Sequence, residues 1–364
     1  MHGFSLGNNF LSLHVKFKIT KSYVLYLTTS IVASVIFTYY YFLYTHEYPP
    51  GSAERIANFT ADKVFQTRFL IPIVADFLLP LIPTLKIILQ WAIPYPIDYH
   101  VILQIINVIA LFLLIISLPK LLDCIGSAAN HWLTLIILLP ISWNYILING
   151  VIDGAGLYYC YDIPSLTFFS IGIILFIKKK WGWFYVAFVL ATLNRESSCF
   201  ISMGGFLLLA NFSNFNPKPF LNKNKILLLH IFIQATIWVS IKIMLHQIFK
   251  NNPGEFFEEP HSVIQFLSGI RNDQVHWAME NASWFLTLFM GIWIVPAICY
   301  KYLSQQGRRF LLVGIIYFIV LTFRSNMMET RVYNELNVIL TVSMIICIHN
   351  IFFKNQFQGE VGHS

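Results

Sequence analysis

Ten apolar runs of spanning or near-spanning length follow one another along this chain, at residues 23–44, 100–119, 131–149, 163–178, 182–194, 198–212, 226–247, 284–300, 310–324 and 337–353. About 20 apolar residues suffice to cross a bilayer as a helix. In hydrocarbon the backbone must satisfy its own hydrogen bonds, which a helix does within one segment. The expected fold is therefore all-α, a polytopic integral membrane protein of about ten transmembrane helices forming a single transmembrane domain over 1–364. Composition agrees, with 57% hydrophobic and 11% charged residues and a mean hydropathy of +0.65, far from soluble-domain averages. The first run is longer than a signal-peptide core and no small-residue cleavage site follows it, so it reads as a retained helix.

The formal net charge of +7 could suggest nucleic acid, but its distribution is that of a membrane protein. With the N-terminus cytoplasmic, alternation places Lys16, Lys18, Lys21, Lys120, Lys178, Lys179, Lys180, Lys218, Lys223, Lys225, Lys301, Arg308, Arg309 and Lys354 inside, as the positive-inside rule requires. That side then holds 14 basic groups and two acids, Asp123 and Glu360, against 10 basic and 15 acidic groups elsewhere. Polar chemistry thus concentrates on the external face, both termini are cytoplasmic, and an active site is expected outside. Residues 45–99 form a long first external loop. Within it the stretch from Phe69 to Trp91 carries Pro72, Asp76, Pro80, Pro83 and Lys86, which fits a broken or interfacial helix. Residues 248–283 form a second large external loop. There Glu255, Glu258, Glu259, Asp273 and Glu280 alternate with Phe256, Phe257, Phe266, His276 and Trp277, a pattern for amphipathic interfacial helices.

Asn194-Arg195-Glu196 interrupts an otherwise apolar stretch from about Trp181 to Phe212. An ionisable group at membrane depth costs about 2.5–3.5 kcal/mol on insertion scales, so it usually pairs or lines a watery cavity. We read 182–194 and 198–212 as two short helices meeting at the outer surface. The alternative is one long helix with Arg195 and Glu196 midway, which would invert every later loop.

Three further clusters fall on the same face. In the first loop, Asp62 could deprotonate a hydroxyl and Arg68 bind a phosphate with its planar fork of donors; alternatively Arg68 anchors a helix at the headgroups. Asp153 and Tyr158-Tyr159-Cys160-Tyr161-Asp162-Ile163-Pro164-Ser165 place aromatic faces beside carboxylates, a common way to hold a sugar ring. Asp162 could equally cap the helix that follows. Arg324 and Glu329-Thr330-Arg331-Val332-Tyr333-Asn334-Glu335 are dense in charge, though Arg331 and Glu335 also have the spacing of a simple helix pair. The triplet itself, with Ser197-Ser198, could be a structural ion pair closing a helical hairpin. Together the four clusters bring carboxylates and arginines to one face, which suits a reaction needing a base and cationic groups for a phosphate leaving group.

Other signals are sparse. Cys124, Cys160, Cys199, Cys299 and Cys347 are scattered singly, without metal-ligand spacing, and read as packing residues. No internal repeat, Walker loop or dinucleotide fingerprint occurs. Glu255, Glu258 and Glu259 could hold a divalent cation or form a solvated helix face, so the sequence assigns no metal ligand.

The series Arg68-Phe69-Leu70-Ile71-Pro72, Tyr161-Asp162-Ile163-Pro164-Ser165, Thr192-Leu193-Asn194-Arg195-Glu196-Ser197 and Glu329 to Glu335 resembles a group of bacterial polytopic membrane proteins near the GT-C superfamily of membrane glycosyltransferases, over roughly residues 60–340. The resemblance implies an all-helical fold, a first external loop with interfacial helices, an external active site, polyprenyl-phosphate-linked sugar donors and an acidic base in that loop. Glu47, Glu54 and Asp62 are the candidates, Asp62 being nearest Arg68. The chain departs from the pattern in having only the isolated Glu47 at the end of the first helix.

The expected function is transfer of a sugar from a polyprenyl-phosphate-linked donor to a glycan or lipid acceptor on the external face of the bacterial inner membrane. Asp62 would act as base, with Asp162 and Glu196 the other catalytic carboxylates. Arg68, Tyr161, Asn194, Arg195, Glu329, Arg331 and Glu335 would bind substrate. An O-antigen-type polymerase would share this topology, and a non-catalytic transporter is the other alternative. Against transport stands the scarcity of acids in the inner half.

Overall fold

The computed structural model describes residues 20–89, 99–127, 129–152, 156–212, 217–255, 287–324 and 330–352. Helix α1 (Lys21–Tyr44) starts at Thr20, whose hydroxyl accepts from the Tyr23 N–H at 3.2 Å. A two-residue strand β1 (His46–Glu47) follows. The first loop then folds into short helices α2 (Ala53–Ala57), α3 (Lys63–Gln66), α4 (Leu70–Leu78) and α5 (Ile82–Leu89). Between α4 and α5 the helix tightens to a 3₁₀ turn at Leu79–Leu81, which contains Pro80. Proline removes a hydrogen bond and crowds the preceding turn, and the expected broken helix results.

Helix α6 (Tyr99–Cys124) leads to a rod from His131 that passes through α7 (Leu138–Ser142) and ends as a π-helix at Trp143–Ile152. Strand β2 (Leu157–Tyr158) pairs parallel with β1, Glu47 opposite Tyr158. Then come α8 (Asp162–Ile177), α9 (Trp181–Asn194), a 3₁₀ turn at Glu196–Ser198, α10 (Cys199–Leu209) and α11 (Pro217–Ile248). Helices α12 (Ile294–Ile298), α13 (Gln305–Arg324) and α14 (Leu336–Phe352) complete the order. Among the described residues four helices are long and apolar enough to cross a membrane: α1, α6, the rod over His131–Ile148, and α11. The chain is thus an all-α membrane protein, with α8, α9, α10 and α14 among its shorter apolar helices.

Packing explains which helices are central. Every residue of α14 from Leu336 to Cys347 is buried, as expected of a helix apolar all round. Helix α8 is nearly as enclosed and crosses α10 closely. A Cβ on Gly205 would fall 2.3 Å from the Phe176 ring, and one on Gly204 2.7 Å from Ile173. The stretch 181–209 is two helices, not one. Arg195 is extended (φ −161°, ψ 144°), so the chain turns at the charged triplet. Helix α11 is the outlier, with only Asn224, Gln234 and Leu245 buried. Its C-terminal end is tied to the first loop. Asn252 donates to the carbonyls of Phe59 (3.0 Å) and Ala61 (2.8 Å), and the Lys63 N–H bonds Pro253 at 2.9 Å.

Candidate functional site

A cavity of about 600 Å³ opens between the first loop, the β2–α8 junction, the α9–α10 turn, α11, α13 and the 3₁₀ turn Thr330–Tyr333. Its lining holds four cations, Arg68, Arg195, Lys242 and Arg331, and two carboxylates, Asp162 and Glu196. Two positive charges are left over, with His246 counted neutral. The other side of the cavity is apolar, and Val239, Ile243 and Val320 there are 46%, 58% and 41% exposed.

Two arginine–carboxylate pairs organise the polar wall. Arg68 grips Glu196 with Nε at 3.1 and 3.2 Å from the two carboxylate oxygens, and with a terminal nitrogen. Its other terminal nitrogen donates to the Tyr161 hydroxyl at 2.9 Å. Burial disfavours the charged guanidinium, but the Glu196 carboxylate outweighs it and holds the Arg68 pKa well above its ordinary value. Lys242 Nζ stands 3.8 Å from the second Glu196 oxygen, and Trp238 Nε1 donates to the Glu196 carbonyl at 3.1 Å. The second pair joins Arg195 to Asp162 at 3.1 Å, and Arg195 also donates to the Arg331 carbonyl at 3.3 Å. Arg331 itself lies 3.7 Å over the Tyr159 ring and donates to its hydroxyl at 3.0 Å. The Tyr159 and Tyr161 rings are 5.4 Å apart, so adjacent tyrosines carry Arg331 and Arg68.

Several sequence-derived candidates therefore meet here: Arg68, Tyr161, Asp162, Arg195, Glu196 and Arg331 all line the cavity. Asn194 and Glu335 lie behind the wall. Asn194 is fully buried and donates to the Tyr161 carbonyl at 3.0 Å. Glu335, 2% exposed, accepts from the hydroxyls of Ser197 and Tyr317, so it braces the lining instead of forming a helix pair with Arg331. Asp162 does not cap its helix. The N-cap is Tyr161, without a side-chain bond, and the Asp162 carboxylate goes to Arg195 because a buried charge is best compensated by an opposite one.

Asp62 is not part of the lining. It is the N-cap residue of α3, and its side chain lies beside Gly254. Glu47 is also elsewhere, accepting from the Ala53 N–H at 3.0 Å, and its burial pushes the carboxyl above the ordinary range. Glu329, Asp153, Glu258 and Glu259 lie outside the described residues. Among the described residues no cluster of three or more His, Cys, Asp or Glu could hold a metal ion, and all five cysteines are free thiols.

The sequence reading missed the α11 wall. Trp238, Lys242 and His246 recur every four residues, which puts them on one helix face. Lys242 sits inside an apolar run just as Arg195 does. The rule that singled out Arg195 applies to it equally and would have found it.

The chain matches no family model, no curated protein and no solved structure. What the fold and cavity define is a class, an all-helical membrane protein with a cationic chamber walled on one side by exposed apolar residues.

Proposed function

We propose that this protein is a membrane glycosyltransferase of about ten spans, moving a sugar from a polyprenyl-phosphate-linked donor to a glycan or lipid acceptor at the external face of the inner membrane. The observation that carries the reading is the two-faced cavity. Its polar wall has an excess of two positive charges, and its apolar side is formed by exposed residues of α11 and α13. An amphiphile with an anionic head fits such a space, head against the guanidinium groups and tail out between the two helices. Arginine suits phosphate because its planar fork bonds two oxygens at once, and such cations stabilise charge developing on a phosphate leaving group. The base then comes from the carboxylates of the lining, Asp162 and Glu196, and not from Asp62.

The test is a glycan comparison by mass spectrometry in a deletion strain complemented with wild type, Arg68→Gln, Glu196→Gln or Asp62→Asn. The two cavity variants should lose one sugar from the glycan, and Asp62→Asn should restore it. Restoration by both cavity variants would overturn the reading. Loss of whole repeat units would instead identify a polymerase.

A further inference from the structure

We infer that Glu196 occupies the place of the donor phosphate and becomes the catalytic base when the donor displaces it. The inference rests on reading the cavity as a lipid-phosphate site. Three features of the geometry lead to it. Glu196 is the accessible carboxylate of the lining, its side chain 40% exposed against 2% for Asp162. Both cations that hold it, Arg68 and Lys242, line the same cavity. Arg68 meets it through the side-on fork that guanidinium groups also present to phosphate.

A phosphodiester entering the cavity therefore meets two cations already engaged by a carboxylate. Two anions cannot crowd the same pair without repulsion, so the carboxylate and the phosphate compete. A carboxylate tied to two cations takes up a proton reluctantly, because the ion pairs favour its charged form. Once the phosphate takes Arg68 and Lys242, Glu196 is freed beside the sugar, its backbone still fixed by Trp238. The acceptor hydroxyl then gives its proton to Glu196 as its oxygen bonds the anomeric carbon. The bond from that carbon to the phosphate oxygen breaks, its electron pair leaving on the lipid phosphate. After the proton is lost to water, Glu196 returns to Arg68 and Lys242 and helps expel the product. Donor binding therefore precedes base activation.

The experiment is a binding titration of full-length protein in lipid nanodiscs with farnesyl phosphate, and with farnesol and inorganic phosphate as separate arms. Glu196→Gln should bind farnesyl phosphate about tenfold more tightly than wild type, since a competitor charge is gone. The same change in an Arg68→Gln/Lys242→Met background should have no effect, and Glu196→Gln should fail to restore the glycan despite its tighter binding. Glu196→Ala, which should also bind more tightly, covers the case in which the glutamine variant folds poorly. If wild type binds farnesyl phosphate and both Glu196 variants bind it equally or more weakly, the placeholder role is wrong and the lipid-phosphate reading stands. If wild type prefers neither farnesyl phosphate to farnesol nor to inorganic phosphate, both fall together.

Discussion

The two arginine–carboxylate pairs of the cavity share a chemistry and differ in setting. Arg195–Asp162 has side chains 9% and 2% exposed, and Arg68–Glu196 has side chains 14% and 40% exposed. Around the first pair the wall is tied together. The Asn334 side chain donates to the Asp162 carbonyl and the Ser165 hydroxyl, and accepts from Tyr145. Around the second, α11 is nearly unburied and Lys242 is only loosely engaged at 3.8 Å. The first pair is built to hold helices together. The second is placed to be exchanged.

Three measurements would break or sharpen that contrast. Asp162→Asn should have the largest effect on folding, because removing one member of a buried pair leaves an uncompensated charge and costs about 3–5 kcal/mol. Thermal unfolding in detergent reads it, and a variant that melts with wild type would make the two pairs energetically alike. Glu335→Gln comes next. The amide nitrogen donates where a carboxylate oxygen accepted, so Ser197 or Tyr317 gives up one acceptor, Tyr317 keeping the Val332 carbonyl at 3.1 Å, at about 1–3 kcal/mol. A denaturant midpoint shared with wild type would show that the brace behind the wall contributes nothing. Glu196→Gln should be the mildest, within about 1 kcal/mol, as expected for a partly exposed pair screened by solvent. Destabilisation on the scale of Asp162→Asn, seen in the same melts, would make Glu196 a structural residue.

Much of the site was legible because charge inside an apolar run is conspicuous. Arg195, Glu196, Asp162 and Arg331 were each visible as charged residues beside hydrophobic segments, and the cavity gathers all four. Legibility ended at two points. Nearness in sequence was a poor guide to nearness in space, so Asp62, six residues from Arg68, points to Gly254 while Glu196 reaches Arg68 across 128 residues. Local rules also gave way to burial. Asp162 stood where a cap belongs, and Arg331 and Glu335 where a helix pair belongs, yet all three bond partners on other elements.

The sequence by itself determined the helical membrane class and the broken first loop, and it favoured a break of the 181–209 stretch at its charged triplet over one long helix. Each follows from hydropathy, proline stereochemistry or the energy of charge in an apolar run, which are properties of short segments. Only the tertiary structure decided which carboxylate each arginine holds, that α11 supplies Lys242 as a wall of the cavity, and that Glu335 stands behind that wall while Glu196 faces into it. Those choices depend on how helices distant in sequence cross, and on which charges the crossing leaves open to solvent.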